Sequence, residues 1–245
     1  MNTLIILGLF ILFLVSIQFA SVKTVDEVID KYIEARGGKE KLHSINSIYM
    51  EGRREMMGNE VTVRITKEQD KLSRTEFEKD GMISFDLITN KEAWKYSPTG
   101  MYEPQKMPDE LITAFETELD IAGPLVDYAA KGHSTELIGK ENIDDITCFK
   151  IKLTTKAGKD IIYWIRSDNY LLLQSTSIES DIQGTRPKLG KTLIVYKDYK
   201  AVDGVLFAHS FEKRIDGGEM LGSSDIIFSR IEVNKPIDEK LYKAV

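Results

Sequence analysis

The strongest constraint on the fold is a repeated two-residue alternation of apolar and polar side chains. From Ser47 onwards, short alternating runs are separated by turn-forming pairs such as Asp80-Gly81 and Asp203-Gly204. Such alternation is typical of half-buried antiparallel strands, and the pairs are typical of hairpin turns. The apolar positions are Ile48/Met50, Val61/Val63/Ile65, Ile83/Phe85/Leu87, Phe149/Ile151/Leu153, Tyr163/Ile165, Leu171/Leu173, Leu193/Val195, Val205/Phe207 and Ile226/Phe228. The pattern predicts a mainly β domain with one strongly curved antiparallel sheet, an unclosed barrel of roughly ten strands.

Helices are predicted before the sheet and within it. Thr24 is a suitable N-cap for an amphipathic helix that Gly37-Gly38 ends, and a short helical turn is expected around Leu42. We expect these helices and a helical insert over residues 108–132 to cover the sheet.

The insert begins after Pro108 and is interrupted at Gly123-Pro124. Its first predicted helix has five acidic residues and no basic ones. A second short helix, marked by Leu125, Val126 and Tyr128, is expected to end at Gly132. The apolar face of the first helix consists of Leu111, Ile112, Phe115 and Leu119. The pattern fits either a helix pair packed over the sheet or a lid over an apolar cavity.

Residues 1–20 differ from the rest of the chain. The apolar run from Leu4 to Val15 has the length of a secretory signal, with Ala20 or Ser21 before a cleavage site; an uncleaved N-terminal anchor is the alternative. Both interpretations predict an exported domain over residues 21–245. Export with the single Cys148 and no disulfide framework favours a bacterial envelope protein.

Composition and motifs argue against several functions. The 33 Lys and Arg against 39 Asp and Glu leave a net charge of −6, which disfavours nucleic-acid binding. His43, His133 and His209 are widely spaced, and one cysteine cannot form a Cys-based zinc site, so we predict no metal and no cofactor. No G-x-S-x-G elbow or other catalytic motif occurs, so we predict that the protein is not an enzyme.

Three stretches resemble the LolA-like family of periplasmic lipoprotein carriers. Residues 89–98 (TNKEAWKYSP) are similar to the family's D-G-x-x-x-W-x-Y-x-P strand. Residues 119–125 (LDIAGPL) are placed like its mobile helical segment, and residues 234–242 (NKPIDEKLY) are similar to its N-x-P-x-D-x-x-L-F tail. The resemblance implies an unclosed barrel around a hydrophobic cavity that holds acyl chains. The implied function is a monomeric periplasmic carrier of a lipoprotein or other acylated lipid, served by an inner-membrane release complex and an outer-membrane acceptor.

Candidate site residues follow from this interpretation. In the family an Arg beside a Pro after the second strand holds the lid; this chain has no Pro there, so the role falls on Arg64, on Lys67 or on neither. Another lipid cargo, a structural or ligand-sensing envelope domain, and a hydrolase remain alternatives. The candidate cavity walls are Met50, Val63, Ile65, Phe85, Leu87, Trp94 and Trp164, with Leu111, Phe115 and Leu125 from the insert.

Overall fold

The computed structural model describes residues 23–56, 58–109, 112–179, 190–215 and 225–244. These residues form one antiparallel sheet of 13 strands, in the order β6-β5-β4-β3-β2-β1-β13-β12-β11-β10-β9-β8-β7. The strands are β1 Ser47–Met56, β2 Asn59–Glu68, β3 Leu72–Lys79, β4 Met82–Thr89, β5 Ala93–Tyr96, β6 Gln105–Lys106, β7 Ser134–Ile143, β8 Ile146–Thr154, β9 Asp160–Arg166, β10 Leu172–Glu179, β11 Gly190–Val202, β12 Val205–Ile215 and β13 Asp225–Val233. The predicted fold class is confirmed.

Four strands lie outside the predicted apolar runs, and one of them, β5, falls within the stretch 89–98 that resembles a strand of the family. Strand β3 carries Arg74, Glu76 and Glu78 on one face, so it lacks a simple alternation of apolar and polar residues. Strands β6 and β7 are the two edges of the sheet, where half of the backbone hydrogen bonds and much of the burial are missing. Weak patterning at such positions explains why the sequence predicts fewer strands than the structure contains.

The first helix, α1 Val25–Ala35, has the predicted cap and end. The Thr24 hydroxyl accepts a hydrogen bond from the Glu27 amide, and the Glu27 carboxylate accepts one from the Thr24 amide, which forms a capping box. At the other end, the Gly38 amide donates to the Ile33 carbonyl, with Gly37 and Gly38 both at positive φ. The helix α2 Lys39–His43 follows and buries Leu42.

One face of the sheet, which we call the concave face, packs against both helices and the insert. Val28, Ile29 and Tyr32 of α1 lie against β8, β9 and β10, and Leu42 of α2 lies against β1, β12 and β13. On the opposite, convex face, the C-terminal segment with its 3-10 helix Glu239–Tyr242 packs on β3 and β4.

The insert shows how strongly the sheet is curved. Glu116 pairs with Lys156 in the β8–β9 turn, and Glu118 pairs with Lys67 on β2. Six strands separate β2 from β8 in the sheet, so a flat sheet would place them about 34 Å apart at about 4.8 Å per strand. Two residues of one 3-10 helix cannot span that distance, so the sheet curls around the insert.

The predicted helix pair of the insert is replaced by tighter structure. The described part contains a 3-10 helix, Thr113–Glu118, followed by turns up to Gly132. The Phe115 and Leu119 amides donate to carbonyls three residues earlier, as 3-10 geometry requires. Asp127 adopts a positive φ of 53°, which interrupts the second predicted helix.

The predicted signal or anchor over residues 1–20 lies outside the described residues. Within the part of the chain that the structure does describe, no helix has the length and apolar character needed to span a membrane.

Candidate functional site

The floor of the concave face is a continuous apolar surface across β1, β11, β12 and β13. Met50 on β1 pairs with Ile231 on β13. Phe228, the next buried residue on this face of β13, follows after a β-bulge and pairs with Gly52. Phe211 contacts both Tyr196 and Phe228 edge to face, with ring centroids 5.4 and 5.3 Å apart. Ala122 and Val126 of the insert pack onto this surface, which therefore joins the sheet to the insert.

Four of the predicted wall residues lie on the concave side. Met50, Val63 and Ile65 share this face, because directly paired residues of neighbouring strands point the same way and Met50 pairs with Ile65. Leu125 of the insert is buried against α1 and β8–β10. Met50 and Val63 are 7% and 0% exposed, so the face is closed in this structure.

The two remaining predicted wall residues belong to the insert, and the structure describes one of them. Phe115 lies in the 3-10 helix and is half-buried. Leu111 lies outside the described residues.

The other four predicted wall residues lie on the convex face. Phe85 and Leu87 pack with Trp94 beneath Ile237 and Leu241 of the C-terminal segment. Trp164 donates from Nε1 to the Glu141 carboxylate at 3.2 Å, and Lys150, its strand partner, lies over its ring. The structure does not bring these four residues together with Met50, Val63 and Ile65. The sequence places them in strands correctly, but the face depends on the register.

Polar contacts fasten the rim of the insert on several sides. The acidic residues of its first predicted helix pair with lysines that lie outside that helix. Besides the pairs of Glu116 and Glu118, Asp120 binds Lys131 at 2.6 Å and Asp109 binds Lys106 at 2.9 Å. The Asp70 amide, in the β2–β3 turn, donates to the Leu119 carbonyl at 3.0 Å. The acidic surface of the insert is thus a docking surface rather than an unbalanced cluster.

Of the two predicted lid-locking residues, only Lys67 contacts the insert, donating from Nζ to the Glu118 carbonyl at 2.8 Å. Arg64 lies on the convex face, where it binds Glu51 at 3.0 Å and Glu78 at 2.7 Å. A residue that the sequence analysis missed, Arg36, donates to the Ala122 carbonyl at 2.7 Å and to the Tyr32 hydroxyl at 3.1 Å. A basic residue before a glycine pair carries no sequence signal for this contact.

A cavity of about 340 Å³ adjoins the insert, at the small end of ligand-pocket volumes. Its walls combine the apolar residues Leu42, Ile45 and Ala122 with polar and charged ones, which include Gln69, Glu116, Asp120, Lys131, His133 and Lys156. His133 is 9% exposed, and its Nδ1 accepts a hydrogen bond from the Lys156 amide at 3.1 Å. Burial lowers the His133 pKa, so the ring is neutral at pH 7 with its proton on Nε2. An acyl chain in this cavity would desolvate the charged side chains of its walls, which disfavours it as the acyl site.

A second cavity, of about 410 Å³, lies on the convex face between β1, β2 and the C-terminal segment. Its walls combine Tyr49, Ile237 and Leu241 with the charged residues Arg64 and Arg230. Tyr49 donates to Glu51 at 2.7 Å, and burial raises its pKa to about 12. This cavity is separate from the concave face.

The three histidines and the cysteine do not meet. His43 binds Asp127 at 2.7 Å, and His209 lies 3.1 Å from the Phe207 carbonyl. Cys148 is buried, and desolvation raises the pKa of its thiol, which disfavours a nucleophilic role. Over the described ranges, no three His, Cys, Asp or Glu side chains come together as metal ligands would.

Acid should weaken the attachment of the insert to α2. Asp127 of the insert pairs with Lys39 and His43 of α2. Both partners lower the pKa of the Asp127 carboxyl, and Lys39 has the larger effect. A carboxyl whose pKa is lower in the folded state stabilises the fold fully at pH values above the ordinary aspartate pKa, near 3.9. This stabilisation is lost as the pH falls through the pKa of the folded state. We expect the free energy of unfolding of wild type to exceed that of Asp127→Asn by about 1 kcal/mol at pH 6, and by less at pH 3, below the ordinary aspartate pKa. Urea unfolding at the two pH values measures this; a constant difference would contradict it.

Comparisons with known proteins agree on the fold. No model of a known protein family matches the chain, and no curated protein matches it in sequence. Among solved structures, a LolA superfamily protein from Nitrosomonas europaea is 12% identical with a TM-score of 0.56, covering 91% of this chain and 99% of its own. A DUF1329 family protein from Desulfovibrio piger is 13% identical with a TM-score of 0.58, covering 91% and 98%.

A third structure, described as an outer membrane lipoprotein-sorting protein domain from Vibrio parahaemolyticus, is 12% identical with a TM-score of 0.54, over 88% of this chain and 94% of its own. All three similarities extend over most of both chains. The chain therefore has the LolA-like fold, which confirms at the level of structure the resemblance drawn from its motifs.

Proposed function

We propose that the protein is an exported carrier that binds acyl chains of a lipoprotein, or another lipid, between the concave face and the insert. It delivers this cargo toward the outer membrane as a monomer, with an inner-membrane release complex and an outer-membrane acceptor as partners. The periplasm is the compartment that this role requires. The name of the Vibrio structure supports the lipoprotein cargo by analogy of fold.

The observation that carries the proposal is the division of contacts beneath the insert. Lys67, Lys156 and Arg36 hold it by polar contacts, Arg36 at the Ala122 carbonyl, whereas the side chains of Ala122 and Val126 pack on the apolar floor. Polar contacts at a rim can exchange for water when a segment opens, whereas the exposed apolar floor then needs a new apolar partner. An acyl chain is such a partner, and no catalytic group takes part.

Magnitudes make this exchange feasible. Burying each CH2 of an acyl chain gains about 0.8 kcal/mol, so a 16-carbon chain offers on the order of 10 kcal/mol before ordering costs. Exposed or half-exposed ion pairs are each worth about 0–1 kcal/mol, and a hydrogen bond from a charged group about 2 kcal/mol. Releasing the rim contacts therefore costs less than a bound chain contributes.

Replacing Phe115 by glutamate tests whether the insert is a ligand gate. Phe115 is half-buried in the 3-10 helix. In the proposed carrier its side chain contacts the acyl chain, so a carboxylate in its place would be buried unpaired, at a cost of several kcal/mol. We expect Phe115→Glu to fold and to lose binding of a fluorescent fatty-acyl probe. Native mass spectrometry of the wild-type protein should also show co-purified lipid, and the variant should lose it.

Thr113→Glu is the matched control, because Thr113 is exposed in the same 3-10 helix and gains the same charge. Its binding should equal that of wild type. A folded Phe115→Glu protein with undiminished probe binding would refute the gate. A variant whose melting temperature falls by many degrees would show instead that Phe115 belongs to the structural core.

A further inference from the structure

An arginine lies within the apolar concave face. Arg54 on β1 pairs with Val61 on one side and with Ile226 on the other, and both neighbours belong to this face. Its guanidinium carbon lies 4.5 Å from the ring centre of Phe77 on β3. Burial lowers the Arg54 pKa, so the charge is partly removed from water. A partly buried charge among apolar side chains costs desolvation energy. Favourable interactions of the charge, within the fold or with a ligand, must offset this cost.

More charged residues surround the same part of the concave face. In the strand register, Lys95 lies opposite Asp86, Asp86 lies opposite Thr75, and Thr75 lies opposite Ile65. Because Ile65 is on the concave face, Lys95 and Asp86 are on it too. Lys213 lies two residues beyond Phe211 on β12 and so points the same way.

Curvature brings the two sides of this charged region together. Four strands separate β4 from β12, yet Lys213 acts on Asp86 electrostatically, as Lys95 does from β5. Both lysines lower the Asp86 pKa, although burial raises it more. Arg54, Lys95 and Lys213 thus place three basic side chains in the region around Asp86, next to the apolar residues Val61, Phe77 and Phe211.

We propose that Arg54, together with Lys95 and Lys213, binds the anionic head group of a single-chain amphiphile whose tail lies along the apolar concave face. This inference rests on the proposed carrier function and narrows its cargo to an acyl chain with a negatively charged head. A planar guanidinium matches the two oxygens of a carboxylate or phosphate, and a partly desolvated site strengthens the charge-assisted hydrogen bonds.

The test compares two ligands that differ in the head group alone. Dodecanoate and dodecanol compete with a fluorescent fatty-acyl probe on the purified full chain, and free inorganic phosphate serves as a head group without a tail. We expect dodecanoate to bind about tenfold more tightly than dodecanol. Phosphate alone should displace no probe, because the tail supplies most of the binding energy.

Variants assign the preference to the arginine. Arg54→Gln should bind both ligands with the affinity that wild type has for dodecanol. Arg54→Lys should keep most of the preference for dodecanoate. Arg53→Gln is the matched control, because Arg53 is the next residue but lies exposed on the convex face, paired with Glu60. It should behave as wild type.

The outcomes separate this inference from the carrier function. Equal binding of both ligands by wild type, or an unchanged preference in Arg54→Gln, would overturn the head-group site and leave the carrier function intact. Displacement by phosphate alone would indicate a simple anion site and overturn the amphiphile. If neither ligand displaced the probe from wild type, both proposals would fall. A melting temperature for each variant confirms that the compared proteins are folded.

Discussion

Gly37→Ala should destabilise the protein by about 3 kcal/mol or more. Gly37 follows α1 with a φ of +120°, and an added Cβ would lie 2.3 Å from the Gly204 carbonyl oxygen and 3.2 Å from the Val205 Cα. These atoms belong to the backbone of the β11–β12 turn, which cannot rotate away as a side chain could. The Leu206 amide also donates to the Arg36 carbonyl at 2.9 Å, so a shift would break a second contact. Urea unfolding measures the loss.

The next residue provides the control. Gly38 also has a positive φ, of +93°, but an added Cβ there would meet no atom within 4 Å. Gly38→Ala should therefore cost only the backbone strain, about 1 kcal/mol. Equal losses in the two variants would show that the helix end does not dock closely on the β11–β12 turn.

Arg36→Leu should release the insert while leaving the fold intact. The Arg36 guanidinium binds the Ala122 carbonyl beside Gly123, whose φ of +93° is one that glycine adopts readily. Losing a hydrogen bond from a charged donor costs about 2 kcal/mol, which corresponds to a roughly 30-fold larger open population. Hydrogen exchange of the amides from Leu119 to Val126 should accelerate accordingly.

Exchange in α1 is the internal control for this variant. Val28 and Ile29 lie in α1, before Arg36 in the chain, and their side chains pack on the sheet, so exchange of their amides should stay within about threefold of wild type. If α1 and the insert accelerated equally, Arg36 would stabilise the helix rather than hold the insert.

The sequence predicts the strands better than it predicts what they face. Alternation places Phe85, Leu87 and Trp94 in strands, and the structure agrees. The assignment of these residues to one wall fails because the pairing register decides the face, and a shift of one residue reverses it. Arg54 shows the converse: the same register puts a charged residue among apolar neighbours, which no alternation rule predicts.

Contacts between distant elements explain the other differences. The cap at Thr24 and the end at Gly37-Gly38 are local, so sequence alone predicts them. The lysines that pair with Glu118 and Glu116 lie on β2 and in the β8–β9 turn, about 50 and 40 residues away along the chain, and the curvature of the sheet brings them together. The contact of Arg36 with Ala122 is of the same kind, since 86 residues separate the two.

The most direct test of the carrier account is photo-crosslinking with a fatty acid that carries a diazirine at the end of its chain. The account predicts adducts on peptides that contain Met50, Ile65 or Phe115, from the concave face and the insert, and predicts that unlabelled fatty acid abolishes them. Adducts on Phe85 or Trp94 of the convex face, or labelling that unlabelled fatty acid does not reduce, would contradict it.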